Sequence, residues 1–164
     1  MKPLVIAAVT LSASLAGTAA RAAEYTLIVQ ERALTVSADE AWKNLWPFCA
    51  SVTKRGLDCD IISGDGDEIG SVRLIDHGVA TEILVAKSKY SFAFAYPAPN
   101  PTAYHGMIEV VPEGPQKSKL VRRMLYDAAP LGTAEAKAAD KAARTKSLTG
   151  ITDQTARVAE GKKP

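Results

Sequence analysis

The stretch from Tyr90 to Val111 constrains the fold more than any other part of the chain. Its first half, YSFAFAY, alternates aromatic and small residues with a period of two, which predicts a strand whose two faces meet different surroundings. The proline-rich segment Pro97–Pro101 then interrupts regular structure, and a second alternating run begins at Thr102. The stretch therefore predicts an antiparallel hairpin with an aromatic wall, which belongs either to a filled core or to one side of a ligand cavity.

The first 22 residues are predicted to be a secretory signal peptide. Lys2 supplies a positive charge, Leu4–Leu15 is apolar, and Ala20-Arg21-Ala22 fits the small-x-small cleavage rule. The apolar run is too short and too rich in alanine for a transmembrane anchor, although an uncleaved tether is the alternative. We therefore expect a periplasmic or secreted protein, with one domain over residues 23–160 and a frayed tail over residues 161–164.

Charge and cysteine content narrow the functional classes. Without the leader, the basic residues fall from 20 to 18 and equal the 18 acidic residues. A near-neutral chain with no basic stripe argues against nucleic-acid binding.

Cys49 and Cys59 are the only cysteines, and in an exported protein they either form a disulfide or remain two buried thiols. Their spacing does not favour a redox motif, and the absence of clustered ligands argues against a metal site.

Two short helices are predicted after a first strand over Glu24–Val36. Ser37 and Glu40 form a capping box, so a helix should begin at Ala38 and end near Trp46. Pro47 stops that helix and can open a second one, which ends near Gly56.

The rest of the chain predicts strands followed by one long helix. From Leu57 onward, apolar runs recur every eight to twelve residues, with turns that include Pro112–Pro115, as in an antiparallel meander that ends near Asp127. Thr133 can cap a final helix that extends to about Val158. The predicted class is α+β.

This order, together with several local sequences, resembles the START-like helix-grip superfamily, in particular the bacterial polyketide cyclase/dehydrase and lipid-transport (SRPBCC) proteins. The local sequences are Gly70-Ser-Val-Arg73, Ala80-Thr-Glu-Ile-Leu84, the aromatic strand, and Thr102-Ala-Tyr-His-Gly106. The resemblance implies a curved seven-stranded antiparallel sheet, two short helices after the first strand, and a long C-terminal helix packed over an apolar cavity. It covers about Tyr25 to Val158.

The same resemblance, combined with strand parity, suggests which side chains face a ligand. Positions that match Glu82 and Tyr104 contribute polar groups in the receptor branch of the superfamily, and those that match Phe92 and Phe94 form the pocket wall. We expect Gly106 to leave room beside them. The expected ligand-binding residues are Glu82, Phe92, Phe94, Tyr96, Tyr104, Ile108 and Arg122.

Parity alone does not assign the inner face of the sheet. Glu82 and Arg122 would point to solvent if the faces were reversed, and the Phe92 face would be filled core if no cavity existed. Arg73 either enters the cavity or forms an ion pair on the sheet surface. His77 and His105 are expected at the surface, since neither has a nucleophilic partner in a recognisable motif.

The leading hypothesis is an exported binding or transport protein for a small hydrophobic molecule such as a lipid, an isoprenoid or an aromatic polyketide. No cofactor is expected, and the protein should be a monomer or a weak dimer. One alternative is a cyclase or dehydratase that uses Glu82 or Tyr104 as its acid/base group. The other is an accessory protein that docks on a periplasmic enzyme through an apolar patch near Pro97–Pro101.

Overall fold

A computed structural model describes residues 22–97 and 103–164. The expected signal peptide, apart from Ala22, and most of the Pro97–Pro101 loop lie outside these residues. Seven antiparallel strands form one sheet in the order β1-β7-β6-β5-β4-β3-β2. The strands are β1 (Tyr25–Leu34), β2 (Cys59–Ser63), β3 (Val72–Ile75), β4 (Ala80–Ser88), β5 (Ser91–Tyr96), β6 (Tyr104–Gly114) and β7 (Lys117–Asp127).

Three α-helices occupy the expected places in the chain. They are α1 (Ala38–Leu45), α2 (Ala50–Thr53) and α3 (Ala134–Ala159). Ser37 caps α1 by accepting a hydrogen bond from the Glu40 amide at 3.2 Å, and Thr133 caps α3 in the same way. Within the described residues, no helix is both long and apolar enough to cross a membrane.

The main core lies between the inner face of the sheet, α1 and the end of α3. Phe92 is at its centre, where its ring packs within 6.0 Å of the rings of Trp42, Trp46 and Phe48, measured between centroids. Trp42 of α1 stacks on Trp46, the residue directly after that helix. The C-terminal part of α3 covers this cluster with Ala156, Val158 and Ala159. The helix-grip fold is therefore confirmed in order, strand number and layering.

One predicted turn is wrong. Strand β6 continues through Pro112 to Gly114, and the connection to β7 is shorter than expected. Pro112 can lie in this strand because β5 pairs with β6 only as far as Glu109. Beyond that point β6 has β7 as its single neighbour, and the missing amide of a proline is tolerated where one side of a strand is unpaired.

Cys49 and Cys59 form a disulfide, with their Cα atoms 5.6 Å apart. The bond joins the residue before α2 to the first residue of β2. The bond therefore anchors to the sheet both ends of the segment in which Arg55 lies.

Candidate functional site

The aromatic hairpin is β5 paired with β6, but only part of its wall faces open space. Phe92 pairs with Ile108 across the two strands, and both side chains are buried in the main core. Neither is among the described residues that line the cavity between the sheet and α3, and their packing instead matches the alternative of a filled core. This difference arises because Trp42 of α1 and Trp46, which directly follows that helix, cover Phe92.

Gly106 also differs from expectation. A Cβ atom at this position would lie 2.2 Å from Cζ of Phe94, the residue paired with it on β5. The Phe94 ring therefore fills the space that the missing side chain of Gly106 leaves open. Phe94 and Gly106 both border the cavity described next.

A cavity of about 170 Å³ lies between the sheet and α3, beside the main core. Strands β3 to β7 contribute to it on one side, and α3 and the segment after α2 on the other. Its lining residues are Arg55, Leu57, Arg73, Ile75, Ala80, Glu82, Phe94, Tyr104, Gly106, Arg122, Arg123, Met124, Leu148 and Ile151. The cavity thus combines apolar walls with an unusual number of charged side chains.

Glu82 and Arg73 form a buried ion pair in this cavity. They are directly opposite on β4 and β3, and their exposed fractions are 4% and 2%. Oε2 of Glu82 accepts hydrogen bonds from Nε and Nη2 of Arg73 at 2.9 and 2.5 Å. Nη1 of Arg73 donates to the carbonyl of Phe48, and the guanidinium lies 3.9 Å from the centre of the Phe48 ring. Arg73 therefore both enters the interior and has its charge balanced there.

Tyr104 completes the hydrogen bonds of Glu82. Its hydroxyl donates to Oε1 of Glu82 at 3.1 Å, and its ring stacks on Tyr96 with the centroids 5.1 Å apart. Burial, followed by the negative charge of Glu82, raises the pKa of the Tyr104 phenol well above its ordinary value. The phenol therefore remains a hydrogen-bond donor across the physiological pH range.

Arg122 points from β7 towards α3 and is only 9% exposed. Its Nη1 donates to the hydroxyl of Thr155 on α3 at 3.3 Å. Burial, followed by the positive charge of Arg55, lowers the pKa of Arg122 to about 10. The guanidinium is still protonated at neutral pH.

Arg55 approaches the same cavity from the segment after α2. Its Nε donates to the carbonyl of Ser51 at 3.0 Å, and burial lowers its pKa. Within residues 22–97 and 103–164, neither Arg55 nor Arg122 has a carboxylate within 4.0 Å. Arg55 was missed at the sequence level because it follows a short helix and has no strand parity to place it.

The structure brings together four of the seven expected site residues on the cavity: Glu82, Phe94, Tyr104 and Arg122. Tyr96 flanks the cavity by its stacking on Tyr104. The Arg73–Glu82 pair could have been found from the sequence, since the two residues are equally far from the four-residue connection 76–79. The part of the chain that the structure describes contains no group of three or more acidic, histidine or cysteine residues able to hold a metal ion.

The sequence matches no family model and no curated protein sequence. Solved structures, in contrast, share the fold over most of the chain. A point mutant of norcoclaurine synthase from Thalictrum flavum, in complex with a transition-state analogue, has a TM-score of 0.64 at 16% identity, over 85% of this chain and 96% of that chain.

Two further structures are similar to the same extent. A protein from Nitrosospira multiformis has a TM-score of 0.63 at 12% identity, over 85% of this chain and 97% of its own. The structure of Ara h 8.0201 has a TM-score of 0.61 at 12% identity, over 84% of this chain and 97% of its own. At such identities the likeness shows the fold, which is the helix-grip fold.

Proposed function

We propose that this protein is exported and binds a small, largely apolar molecule in the cavity between its sheet and α3. The observation that carries the proposal is the cavity itself, where apolar residues surround a few inward-pointing polar groups. Ligand sites in proteins have this composition, because apolar walls bury the body of a ligand and the polar groups orient it. The norcoclaurine synthase structure supports the proposal, since that protein holds a small molecule in the same fold.

The size of the cavity restricts the class of ligand. Pockets for drug-sized molecules measure about 300–1,000 Å³, whereas this cavity measures about 170 Å³. A compact molecule therefore suits it better than an extended lipid chain. Among lipids, isoprenoids and aromatic polyketides, the smallest and most compact members are favoured.

Native mass spectrometry of the gently purified, exported protein tests this proposal directly. The expected result is a retained small molecule, and a fluorescent naphthalene probe should be displaced when that molecule is added back. Ala80→Phe should abolish binding, because Ala80 lines the cavity and the added ring would fill it. Val79→Phe is the matched control, since the neighbouring Val79 is 72% exposed. A protein that retains no molecule and binds no apolar probe would contradict the proposal.

A cyclase- or dehydratase-type enzyme is the second candidate, and the position of Tyr104 favours it. A phenol that stays protonated inside a cavity can donate a hydrogen bond or a proton to a bound carbonyl. Tyr104→Phe separates the two functions, because it removes one oxygen atom and leaves the Arg73–Glu82 pair intact. An enzyme should lose its conversion of the retained molecule while keeping most of its affinity, whereas a carrier converts nothing in either form.

A further inference from the structure

The charges in the cavity do not balance. Three lining guanidinium groups, those of Arg55, Arg73 and Arg122, face a single lining carboxylate, that of Glu82. Arg123 does not add to the excess, because its Nη1 is 2.6 Å from Oε2 of Glu109. The cavity therefore carries two more positive than negative charges.

Arg122 and Arg55 carry the unbalanced positive charge, since both carboxylate oxygens of Glu82 already accept hydrogen bonds from other residues. One of its oxygens accepts both hydrogen bonds from Arg73, and the other accepts the Tyr104 hydroxyl. Arg122 has one long bond to a neutral hydroxyl, although a guanidinium has five N–H donors. A buried cation without a counter-ion is energetically costly, and a second positive charge nearby adds to that cost.

Arg122 and Arg55 are nevertheless each held in place on the same cavity. Thr155 on α3 holds Arg122, and the Ser51 carbonyl in α2 holds Arg55. The disulfide between Cys49 and Cys59 secures both ends of the segment that carries Arg55. Two positioned guanidinium groups that lack a protein carboxylate form a ready receptor for an anion, because their N–H groups match the oxygens of a carboxylate or phosphate.

The remaining walls are apolar. The apolar lining residues include Leu57, Ile75, Leu148 and Ile151. These residues would contact the body of a ligand whose anionic group meets the arginines. Inorganic anions would leave this apolar surface uncovered.

We propose that the ligand of this cavity is a small organic anion, with a carboxylate or a phosphate monoester bound by Arg122 and Arg55 and a compact apolar body against Leu57, Ile75, Leu148 and Ile151. The inference rests on the proposed function and specifies its ligand class. Tyr104 contacts Glu82 and lies on the same cavity, where its ring adds to the wall. Arg73 and Glu82 act as a neutral unit that separates this site from the main core.

Four probes in isothermal titration calorimetry test the proposal on the exported protein: benzoate, phenyl phosphate, benzyl alcohol and inorganic phosphate. At least one of the two aromatic anions should bind roughly ten- to a hundredfold more tightly than benzyl alcohol, the range that hydrogen bonds to a charged group provide. Inorganic phosphate should bind more weakly than that anion, because it has no apolar body. The comparison between the two aromatic anions then distinguishes a carboxylate from a phosphate monoester.

Arg122→Met should remove the preference for the anion over benzyl alcohol, and Arg122→Lys should keep part of it. Arg157→Met is the matched control, since Arg157 is exposed on the same helix that Arg122 faces, and the same charge is removed. The control should bind like the wild type, which excludes an effect of net charge alone.

The other outcomes separate this inference from the proposed function. Equal binding of benzyl alcohol and both aromatic anions would overturn the anion site and leave an apolar ligand site standing. If inorganic phosphate bound as tightly as phenyl phosphate, the inference that the ligand has an apolar body would be overturned. If the wild-type protein bound none of the four probes, the inference would be overturned. If native mass spectrometry also found no retained molecule, the proposed function would be overturned as well.

Discussion

Arg73 and Arg122 bring the same charge into the same cavity, but their surroundings differ. Arg73 has a carboxylate, a carbonyl and an aromatic ring as partners, whereas Arg122 has one hydroxyl. The energetic cost of a buried charge depends on such partners more than on burial itself. We therefore expect the substitution of arginine by methionine to change the free energy of unfolding in opposite directions at these two positions.

We expect Arg73→Met to lower the free energy of unfolding by about 3–5 kcal/mol, since it leaves the buried carboxylate of Glu82 without its cation. Urea unfolding at neutral pH measures this change. The double variant Arg73→Met/Glu82→Gln should recover a large part of the loss, because it removes both charges. An unchanged unfolding midpoint in the single variant would contradict the assignment of a buried ion pair.

We expect Arg122→Met to raise the free energy of unfolding of the ligand-free protein by about 1–3 kcal/mol. Folding lowers the pKa of Arg122 to about 10, so the charged form is disfavoured in the folded state. Its cost is fully present below pH 10 and is relieved only as the pH rises from about 10 towards the higher pKa of the unfolded chain. Urea unfolding near pH 7 therefore reports the whole effect. Destabilisation as large as that of Arg73→Met would show that Arg122 has a counter-ion in the ligand-free protein.

The contact between Gly106 and Phe94 gives the third residue-scale prediction. Gly106→Ala should cost about 1–3 kcal/mol, because the new Cβ would overlap the Phe94 ring. Gly150→Ala is the control, since no atom lies within 4 Å of a Cβ there and alanine favours a helix by about 0.5–1 kcal/mol. Thermal unfolding compares them, and adding Phe94→Leu should reduce the cost at Gly106. Equal effects at the two glycines would contradict the close contact.

At the scale of elements, α3 is held to the start of the fold by the side chain of Glu160. Its Oε1 accepts hydrogen bonds from the amide and the hydroxyl of Thr35, at 2.8 and 2.7 Å, just after β1. Lys162 donates to the other oxygen at 2.6 Å. These contacts hold the C-terminal end of α3 against the segment that follows β1.

This tether predicts a pH dependence. The hydrogen bond from Lys162, followed by those from Thr35, lowers the pKa of Glu160 from 4.5 to about 2. A carboxyl group whose pKa is depressed on folding stabilises the fold above its unfolded pKa, and that stability is lost as the pH falls from about 4.5 towards 2. Glu160→Gln should therefore lower the melting temperature near pH 6 and converge with the wild type at low pH. Glu113→Gln, on an exposed end of β6, should show no such convergence.

The disulfide gives a second prediction at this scale. Cys49→Ser/Cys59→Ser should lower the free energy of unfolding by about 2–3 kcal/mol, because the closed loop restricts the unfolded chain. The double variant should also bind an aromatic anion more weakly, since the segment with Arg55 is released. Unfolding of the reduced wild type should match that of the variant, and identical stability of all three forms would contradict the bond.

At the scale of the whole molecule, export remains a prediction from residues 1–22. Intact-mass measurement on the periplasmic fraction of a bacterial host should find a chain that begins near Ala23. Ala22→Trp should block this processing, since the residue before the cleavage site must be small. A full-length chain in the cytoplasmic fraction would contradict it.

The sequence by itself determined the order of the elements. Period-two alternation in Tyr90–Tyr96, the caps at Ser37 and Thr133, and the regular spacing of turns are local signals, and each depends on residues close together in the chain. The strand number and the long final helix followed from them and are confirmed. These local signals agree with one another, so few arrangements of the elements remained.

Only the tertiary structure decided which inward-facing residues border open space. Phe92 and Phe94 have the same parity, but α1 covers Phe92, and Gly106 receives the ring of Phe94. Arg55 joined the site from a segment with no periodic signal. Whether a side chain fills a core, lines a cavity or lacks a counter-ion depends on neighbours that are distant in sequence, and no local pattern encodes their distances.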